Sequence, residues 1–467
     1  MNIFYIFAVG SGIAIAFFSQ AREFYYLAVL CVIAGLYFSF KKKEIGLTDL
    51  LILFITTIPL HTFRFGSQEQ FIRLSEIAFI PLAAWWLITR FLNRTQRPLK
   101  INLESLFILA YIIINVLATK NSMLPLISVK RIIILSYLFL FTIIVSDIIN
   151  TKDKTAKILT AMALISGISA IIAILQSIIP QLLFFNRVPI GSIFGLTFYR
   201  AGVGWHDPNY YALYLGMNAA MTFCYILATP KNKQLLFKAC FVLQLLGIMA
   251  TFSRTVMGSL ILVCLYLLFY YGKRKSALAI LTLILLSSII ITTTIPIIYK
   301  KYPLLASIIY RIPEREKLKE DPVLIMGHRY AAFKANWAMF LDHPILGVGP
   351  FMAMYNYDKY QPIGYKYEMT QLASHNQYLQ LLSEKGIFGF IIFLWLILLI
   401  LKKISAGLKQ PLGPDKKTYL MALKSAIFVY LISSFSLETS YELQFWLTIG
   451  LSLAILKLIE KERSNVL

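Results

Sequence analysis

Hydrophobic runs close to a bilayer's thickness recur from one end of this chain to the other, and one polar block interrupts them between Tyr299 and Ser383. A helix crosses the hydrocarbon core with about 20 apolar residues, and these runs have that length. They fall at 3–20, 24–40, 46–61, 74–89, 103–118, 131–149, 158–178, 209–228, 237–252, 255–271, 277–298, 386–401, 418–436 and 443–459. The pattern predicts an all-α polytopic membrane protein of about 14 transmembrane helices, with one long helical loop outside the bilayer. A membrane barrel would need short segments of alternating polarity, which the sequence lacks. Inside the long block, Gly327 to Asp342 has helical spacing, with Tyr330, Phe333, Trp337 and Phe340 apolar on one side. His343-Pro344 then ends it.

Charge orients the runs. Basic clusters occupy alternate connections: Lys41 to Lys43, Arg90 to Lys100, Lys152 to Lys157, Lys231 to Lys238, Lys273 to Lys275, Lys402 to Lys417 and Lys457 to Arg463. Short basic loops stay on the cytoplasmic side, so both termini are expected on the inside of the membrane. The outer face then holds 62–73, 119–130, 179–208, the turn at Ser253-Arg254, the block 299–385 and 437–442. Long translocated loops escape the charge rule, so the basic residues of the long block do not conflict with this. The chain divides into N-terminal helices (1–157), a transmembrane core (158–298), the outer loop (299–385) and C-terminal helices with a cytoplasmic tail (386–467).

Composition adds little. Of 467 residues 58% are hydrophobic and 14% charged, against roughly a quarter charged in soluble chains. The net charge of +23 reads mainly as topology signal rather than affinity for nucleic acid. Cys31, Cys224, Cys240 and Cys264 sit in apolar runs without a CxxC pair, so neither a disulfide framework nor a zinc site is indicated. The first run lacks a basic flank or cleavage site and reads as a retained span.

Three outer-face arginines stand out. Arg254 lies in Thr251-Phe252-Ser253-Arg254, between two spans with almost no loop to lift it into water. Charge at that depth costs a few kcal/mol unless it meets an anion or lines a wet cavity. Arg329 opens the helix-like segment of the long block, and Arg200 precedes the turn Gly202 to Asn209. Guanidinium groups suit phosphate oxygens because they stay charged and bind as a fork; the alternative is that all three snorkel and anchor helix ends. His375, followed by Asn376 where the chain re-enters the membrane, is the best acid/base candidate. His61, His206, His328 and His343 are weaker, each without a partner at metal-site spacing. The carboxylates Asp207, Glu314, Glu316, Glu320, Asp321 and Asp342 are scattered, so no metal and no cofactor is expected. Asp207-Pro208-Asn209 initiates a turn, with Asn209 as a reasonable N-cap. A transporter or flippase, the rival class, should show inverted repeats or broken helices at mid-membrane, and no repeat is found.

Taken in order, Asp207-Pro208-Asn209-Tyr210-Tyr211-Ala212, Thr251-Phe252-Ser253-Arg254, Arg329…Trp337…Pro344 to Gly349, and His375-Asn376-Gln377-Tyr378-Leu379…Glu384 to Gly389 resemble the O-antigen ligase/polymerase superfamily. The resemblance spans roughly residues 158 to 400. It implies a GT-C-like membrane glycosyltransferase, metal-independent and inverting, acting on undecaprenyl-diphosphate-linked oligosaccharide at the periplasmic face. Arg254 and Arg329 would hold the donor diphosphate, with Arg200 beside them, and His375 would activate the acceptor hydroxyl. Ser253, Asn209 and Asn376 support these motifs. The acceptor would be another glycan, with a slight lean to a polymerase because the span count exceeds that usual for ligases; a ligase would use lipid A-core. Membrane lipid is a partner by construction, and polysaccharide-assembly proteins such as a chain-length regulator are compatible ones.

Overall fold

In the computed structural model the described residues are 46–60, 64–66, 71–92, 102–182, 189–193, 196–283, 286, 328–362 and 372–464. The expected spans 3–20 and 24–40, and most of 277–298, lie outside them, as do Glu314, Glu316, Glu320 and Asp321. The remaining expected spans each coincide with helix. These are α1 (Leu47–Thr56), α2 (Leu74–Leu92), α3 (Leu103–Ala118), α4 (Pro125–Ile148), α5 (Lys152–Ile178), α6 (Pro208–Ala228), α7 (Leu235–Thr251) and α8 (Arg254–Tyr270). After the long block's α9 (His328–Asp342) and α10 (Ala353–Tyr360) come α11 (Gln377–Leu408), α12 (Pro414–Ser433) and α13 (Leu443–Ser464).

Among the described residues seven helices are long and apolar enough to cross a membrane: α2, α3 (with the turn that follows it), α4, α5, α6, α11 and α13. The chain is an all-α multi-pass membrane protein. α12 is long but carries Asp415, Lys416, Lys417 and Lys424. It can do so because most of its surface is buried against protein, chiefly α6, α8 and α13, so lipid hardly selects its composition. Two small antiparallel hairpins break the helical pattern, Arg64–Gly66 (β1) with Phe71–Arg73 (β2) and Pro189–Ile193 (β3) with Leu196–Tyr199 (β4). Both sit in connections assigned above to the outer face.

Small residues set the helix spacing. A Cβ on Gly247 of α7 would lie 2.7 Å from the Ala170 side chain of α5, so these helices touch nearly backbone to backbone. Gln244 completes the contact by donating to Ser166 Oγ at 2.7 Å, which satisfies a polar group away from water.

The connections sort to two ends of the bundle as the alternation of charge predicts. At one end Arg90 pairs with Asp147 at 2.7 Å, Lys403 with Glu104 at 2.6 Å, Lys157 with Asp49 and Lys416 with Glu462, while Lys457 donates to Ser146. At the other end Gly204 N–H meets Pro59 O, Asn121 meets Gly347 O, and Ser128 meets Pro350 O. The described parts of the long block, 328–362 and 372–383, belong to this second end.

α9 begins one residue later than the spacing predicts, and its aromatic stripe is not the packed face. Ala331, Ala332, Ala335 and Met339 are buried with Val348, Met352 and Tyr357 in a small core, whereas Trp337 is 47% exposed, its ring 5.4 Å from that of Phe340 and tilted against it. Small residues allow the close approach, which leaves the bulky rings outward, where an interfacial belt would hold them.

α11 opens just after Asn376, where an amphipathic helix is expected to start. It starts at Gln377, nine residues before the apolar run begins, and breaks at Gly386 (φ 63°, ψ −167°). A Cβ there would lie 2.2 Å from Ile345 O, and one on Gly347 (φ 67°) would lie 2.2 Å from the Glu384 carbonyl carbon. Only glycine permits this contact and this dihedral region. Through it the turn 344–349 repairs the break: Val348 N–H donates to Ser383 O at 2.8 Å, Gly349 N–H to Glu384 O at 3.0 Å, and Ile387 N–H to Pro344 O at 2.8 Å. Buried carbonyls freed by a break need such partners.

Candidate active site

The Thr251-Phe252-Ser253-Arg254 motif is a reversal of two residues between α7 and α8. Phe252 takes φ 55°, and Ser253 N–H donates to Thr251 Oγ1 at 3.1 Å. Ser253 is the N-cap of α8, yet its side chain caps nothing; its buried Oγ has no hydrogen-bond partner among the described residues. The first turn of α8 therefore keeps its N–H groups for another acceptor, at the positive end of a helix. Arg254 is the first residue of that turn and is exposed, and no carboxylate pairs with it among the described residues.

Arg200 ties this turn to the Asp207-Pro208-Asn209 motif. Its Nε donates to Thr251 O at 2.9 Å and its Nη2 to Asn209 Oδ1 at 2.9 Å, while Ala201 N–H donates to Ala250 O at 2.9 Å. The N-cap of α6 is Asp207 and not Asn209: Asp207 Oδ1 accepts from Asn209 N–H at 2.8 Å and from its side-chain amide at 2.9 Å. Pro208 takes the first helical position, where its missing N–H does no harm, and this fixes the cap one residue earlier. Asn209 is thereby freed to hold Arg200.

His375 follows. Its backbone takes φ 49°, a left-handed conformation that costs a non-glycine residue about 1–2 kcal/mol. Glu438, from the connection between α12 and α13, holds it there. Glu438 Oε1 accepts from Ser374 Oγ at 2.7 Å and from His375 N–H at 3.1 Å, and Oε2 accepts from Gln380 Nε2 at 3.2 Å. Burial pushes the Glu438 carboxyl above its ordinary range, aided by the nearby Glu384 charge and opposed by these hydrogen bonds. Asn376 has the structural job its position suggests, capping α11 by accepting from Tyr378 N–H (2.9 Å) and Leu379 N–H (3.0 Å). Gln377 clamps the same connection, accepting from Ser440 N–H at 2.7 Å and from Thr439 N–H, and donating to Ser440 Oγ at 2.9 Å.

One chain of contacts now joins the motifs. Arg200 meets Asn209, and Asn209 meets Asp207. The next residue, Tyr210, lies within electrostatic range of Glu438 and Glu442, and Glu438 meets Ser374 and His375. Glu442 is raised to about 8 by burial, which outweighs the opposing Arg73 and is reinforced by Asp207. Arg329 stands apart from these contacts, at the second position of α9; that helix reaches α11 through Asn336, whose Oδ1 accepts from Ser383 Oγ at 2.7 Å. The structure shows no direct contact among Arg254, Arg329 and His375.

Sequence reasoning missed the charges beneath the site. Glu384 and Lys385, just before the α11 break, form a fully buried ion pair at 3.1 Å. Arg131 lies with its guanidinium carbon 3.4 Å from the Phe351 ring centre and 5.8 Å from that of Tyr441. Glu438 and Glu442 were legible in principle, as two carboxylates in the short outer connection of an apolar C-terminal region, where charge is expensive.

Residues 239–394, from within α7 to the second half of α11, match a family described as O-antigen ligase. A comparison with curated proteins gives no match. The matched segment holds Ser253, Arg254, Arg329, His375 and the glycine-stitched break, whereas Arg200, Asn209 and Glu438 reach the site from outside it. Over that segment this multi-pass membrane protein is similar to the O-antigen ligase family, which supports its resemblance to the O-antigen ligase/polymerase superfamily.

Proposed function

We propose that the protein is a metal-independent, inverting glycosyltransferase that moves oligosaccharide from undecaprenyl diphosphate to a sugar hydroxyl at the periplasmic face. The observation that carries this reading is the gathering of the Asp207-Pro208-Asn209 turn, the Ser253-Arg254 turn and His375 at one end of the bundle. In this mechanism His375 takes the proton from the acceptor hydroxyl. The acceptor oxygen attacks the anomeric carbon, and the bond from that carbon to the phosphate oxygen breaks with its electron pair. Undecaprenyl diphosphate leaves, its developing charge met by Arg254, Arg329 and the open N–H groups of α8. Arg200 and Glu438 are positioning residues: the first fixes the turn that presents Arg254, the second the backbone that presents His375.

Two acceptors fit this chemistry. A second lipid-linked repeat unit would make the protein a polymerase, the reading preferred here; the description of the matched family favours lipid A-core and a ligase. Membranes carrying the wild type or His375→Ala, supplied with lipid-linked donor and either acceptor, test both. Product from one acceptor, absent with His375→Ala at equal protein level, is the expected result. Equal product from the variant would refute the assignment of His375.

A further inference from the structure

A second site lies at the opposite end of the bundle, away from His375. A cavity of about 360 Å³ opens where α2, α4, α5 and α13 end, and Arg90, Lys154, Lys457 and Lys461 line it against a single carboxylate, Asp147. Its volume is at the lower end of small-ligand sites, enough for a headgroup and too little for a whole lipid. The cations are held in place. Arg90 grips Asp147 through Nη2 (2.7 Å) and Nε (3.0 Å), Lys154 Nζ donates to Asn150 Oδ1 (2.9 Å) and Ile148 O (3.2 Å), and Lys457 Nζ donates to Ser146 Oγ (3.0 Å). These partners are neutral except for Asp147, so the cavity lining holds four cations and one carboxylate. Glu104 and Glu460, outside the lining, also act on Lys457, but Glu104 is already paired with Lys403 and Glu460 is exposed.

Like charges gathered in a cavity at helix ends repel one another unless an anion visits. The remaining wall is apolar, with Leu47, Ile148, Ile149 and Leu458 beside the cations. We propose that this cavity binds a phosphate ester, its phosphate among Lys154, Lys457 and Lys461 and its organic part along the apolar wall. An anionic phospholipid headgroup and a soluble phosphate ester share that chemistry, and basic pockets between transmembrane helices are known to suit the former. The proposal is independent of the glycosyl-transfer reading, and its test uses no transfer assay.

The test is thermal unfolding of the full-length protein in neutral detergent, titrated with dioleoyl phosphatidylglycerol, dioleoyl phosphatidylcholine or glycerol 3-phosphate. Phosphatidylglycerol should raise the midpoint by several degrees where phosphatidylcholine does not, and Lys457→Gln/Lys461→Gln should lose at least half of that rise. Should the double variant not fold, Lys461→Glu alone replaces it, since Lys461 is exposed at the rim. A matching rise with glycerol 3-phosphate identifies a soluble ester as ligand, and a rise with the lipid alone identifies a headgroup; both support the site. No rise with either probe, or an undiminished rise in the variants, overturns it.

Discussion

Removing the Glu438 carboxylate should disable the site without emptying it of any group that touches substrate. Glu438→Ala deletes an acceptor for three hydrogen bonds, to Ser374 Oγ at 2.7 Å, His375 N–H at 3.1 Å and Gln380 Nε2 at 3.2 Å. A hydrogen bond to an ionised group is worth about 1.5–3 kcal/mol, while the left-handed backbone at His375 costs about 1–2. In the wild type the bond outweighs the strain. The alanine variant loses this bond and keeps the strain, so His375 should relax toward negative φ and shift its ring. A misplacement of about 1 Å can cost about a hundredfold in rate, which sets the expected fall in kcat for Glu438→Ala, with the donor KM little changed. Glu438→Gln keeps one oxygen for Ser374 and His375 but turns an amide toward Gln380, so about tenfold is expected. Purified enzyme, lipid-linked donor and a gel or chromatographic readout of product suffice. In a His375→Ala background, Glu438→Ala should add no further loss, because it acts through the histidine. Full activity in Glu438→Ala, or a loss that multiplies undiminished onto His375→Ala, would refute the argument.

Other consequences can be checked alongside. If Arg254 and Arg329 clamp a diphosphate as forks, Arg→Lys at either should lose about ten- to a hundredfold in turnover, whereas helix-end anchors would tolerate lysine; equal turnover in both Lys variants sinks the clamp. Gly386→Ala forces a contact of 2.2 Å at Ile345 O in a region closed to side chains, so it should lower the unfolding midpoint sharply and cut yield. Gly413→Ala, with nothing within 4 Å of the added carbon, should match the wild type, and equal midpoints in the two variants would contradict the stitched break. Glu442 is held near 8 in the fold against about 4.5 when unfolded, so the folded state binds more protons between those values. Its stabilisation is therefore present at acidic pH and lost as pH rises through about 8, by at most about 1.4 kcal/mol per pH unit. The wild-type midpoint should fall relative to that of Glu442→Gln, which cannot ionise, as pH rises from about 4.5 to about 8, and a flat difference would show that the carboxyl is not protonated in the fold. Transfer activity should survive EDTA; loss on chelation that added Mg²⁺ restores would overturn the metal-free mechanism.

Much of this was legible in the sequence, for reasons that also explain the failures. Apolar runs betray helices that face lipid, so the bounds of α3 and α6 fall within a residue of those expected. α4 begins at Pro125 rather than near 131 because Lys130 and Arg131 look like loop residues in a hydropathy pattern. Arg131 instead lies against Phe351 and Tyr441, residues distant in sequence. After Asn376 the sequence shows the start of an amphipathic helix, as found, but not where its polar side chains are satisfied, by Ser440, Glu438 and Asn336, which a local pattern cannot reveal. His375, Arg254 and Arg329 could be singled out because charge and imidazole are conspicuous beside membrane spans. The charge of Glu438 is conspicuous in the same way, but its role is not, since that depends on a fold that brings the last connection back to the long block.

That return has a consequence for synthesis. The chain is made from its N-terminus, and His375 precedes Glu438 by 63 residues. When α11 enters the membrane, neither the carboxylate that bends the His375 backbone nor the backbone groups that Gln377 grips yet exist. Both arrive only with the hairpin formed by α12 and α13. On the proposed mechanism, an unfinished chain would thus have its arginine turn built and its base unaimed, and glycan transfer could be carried out only by completed molecules.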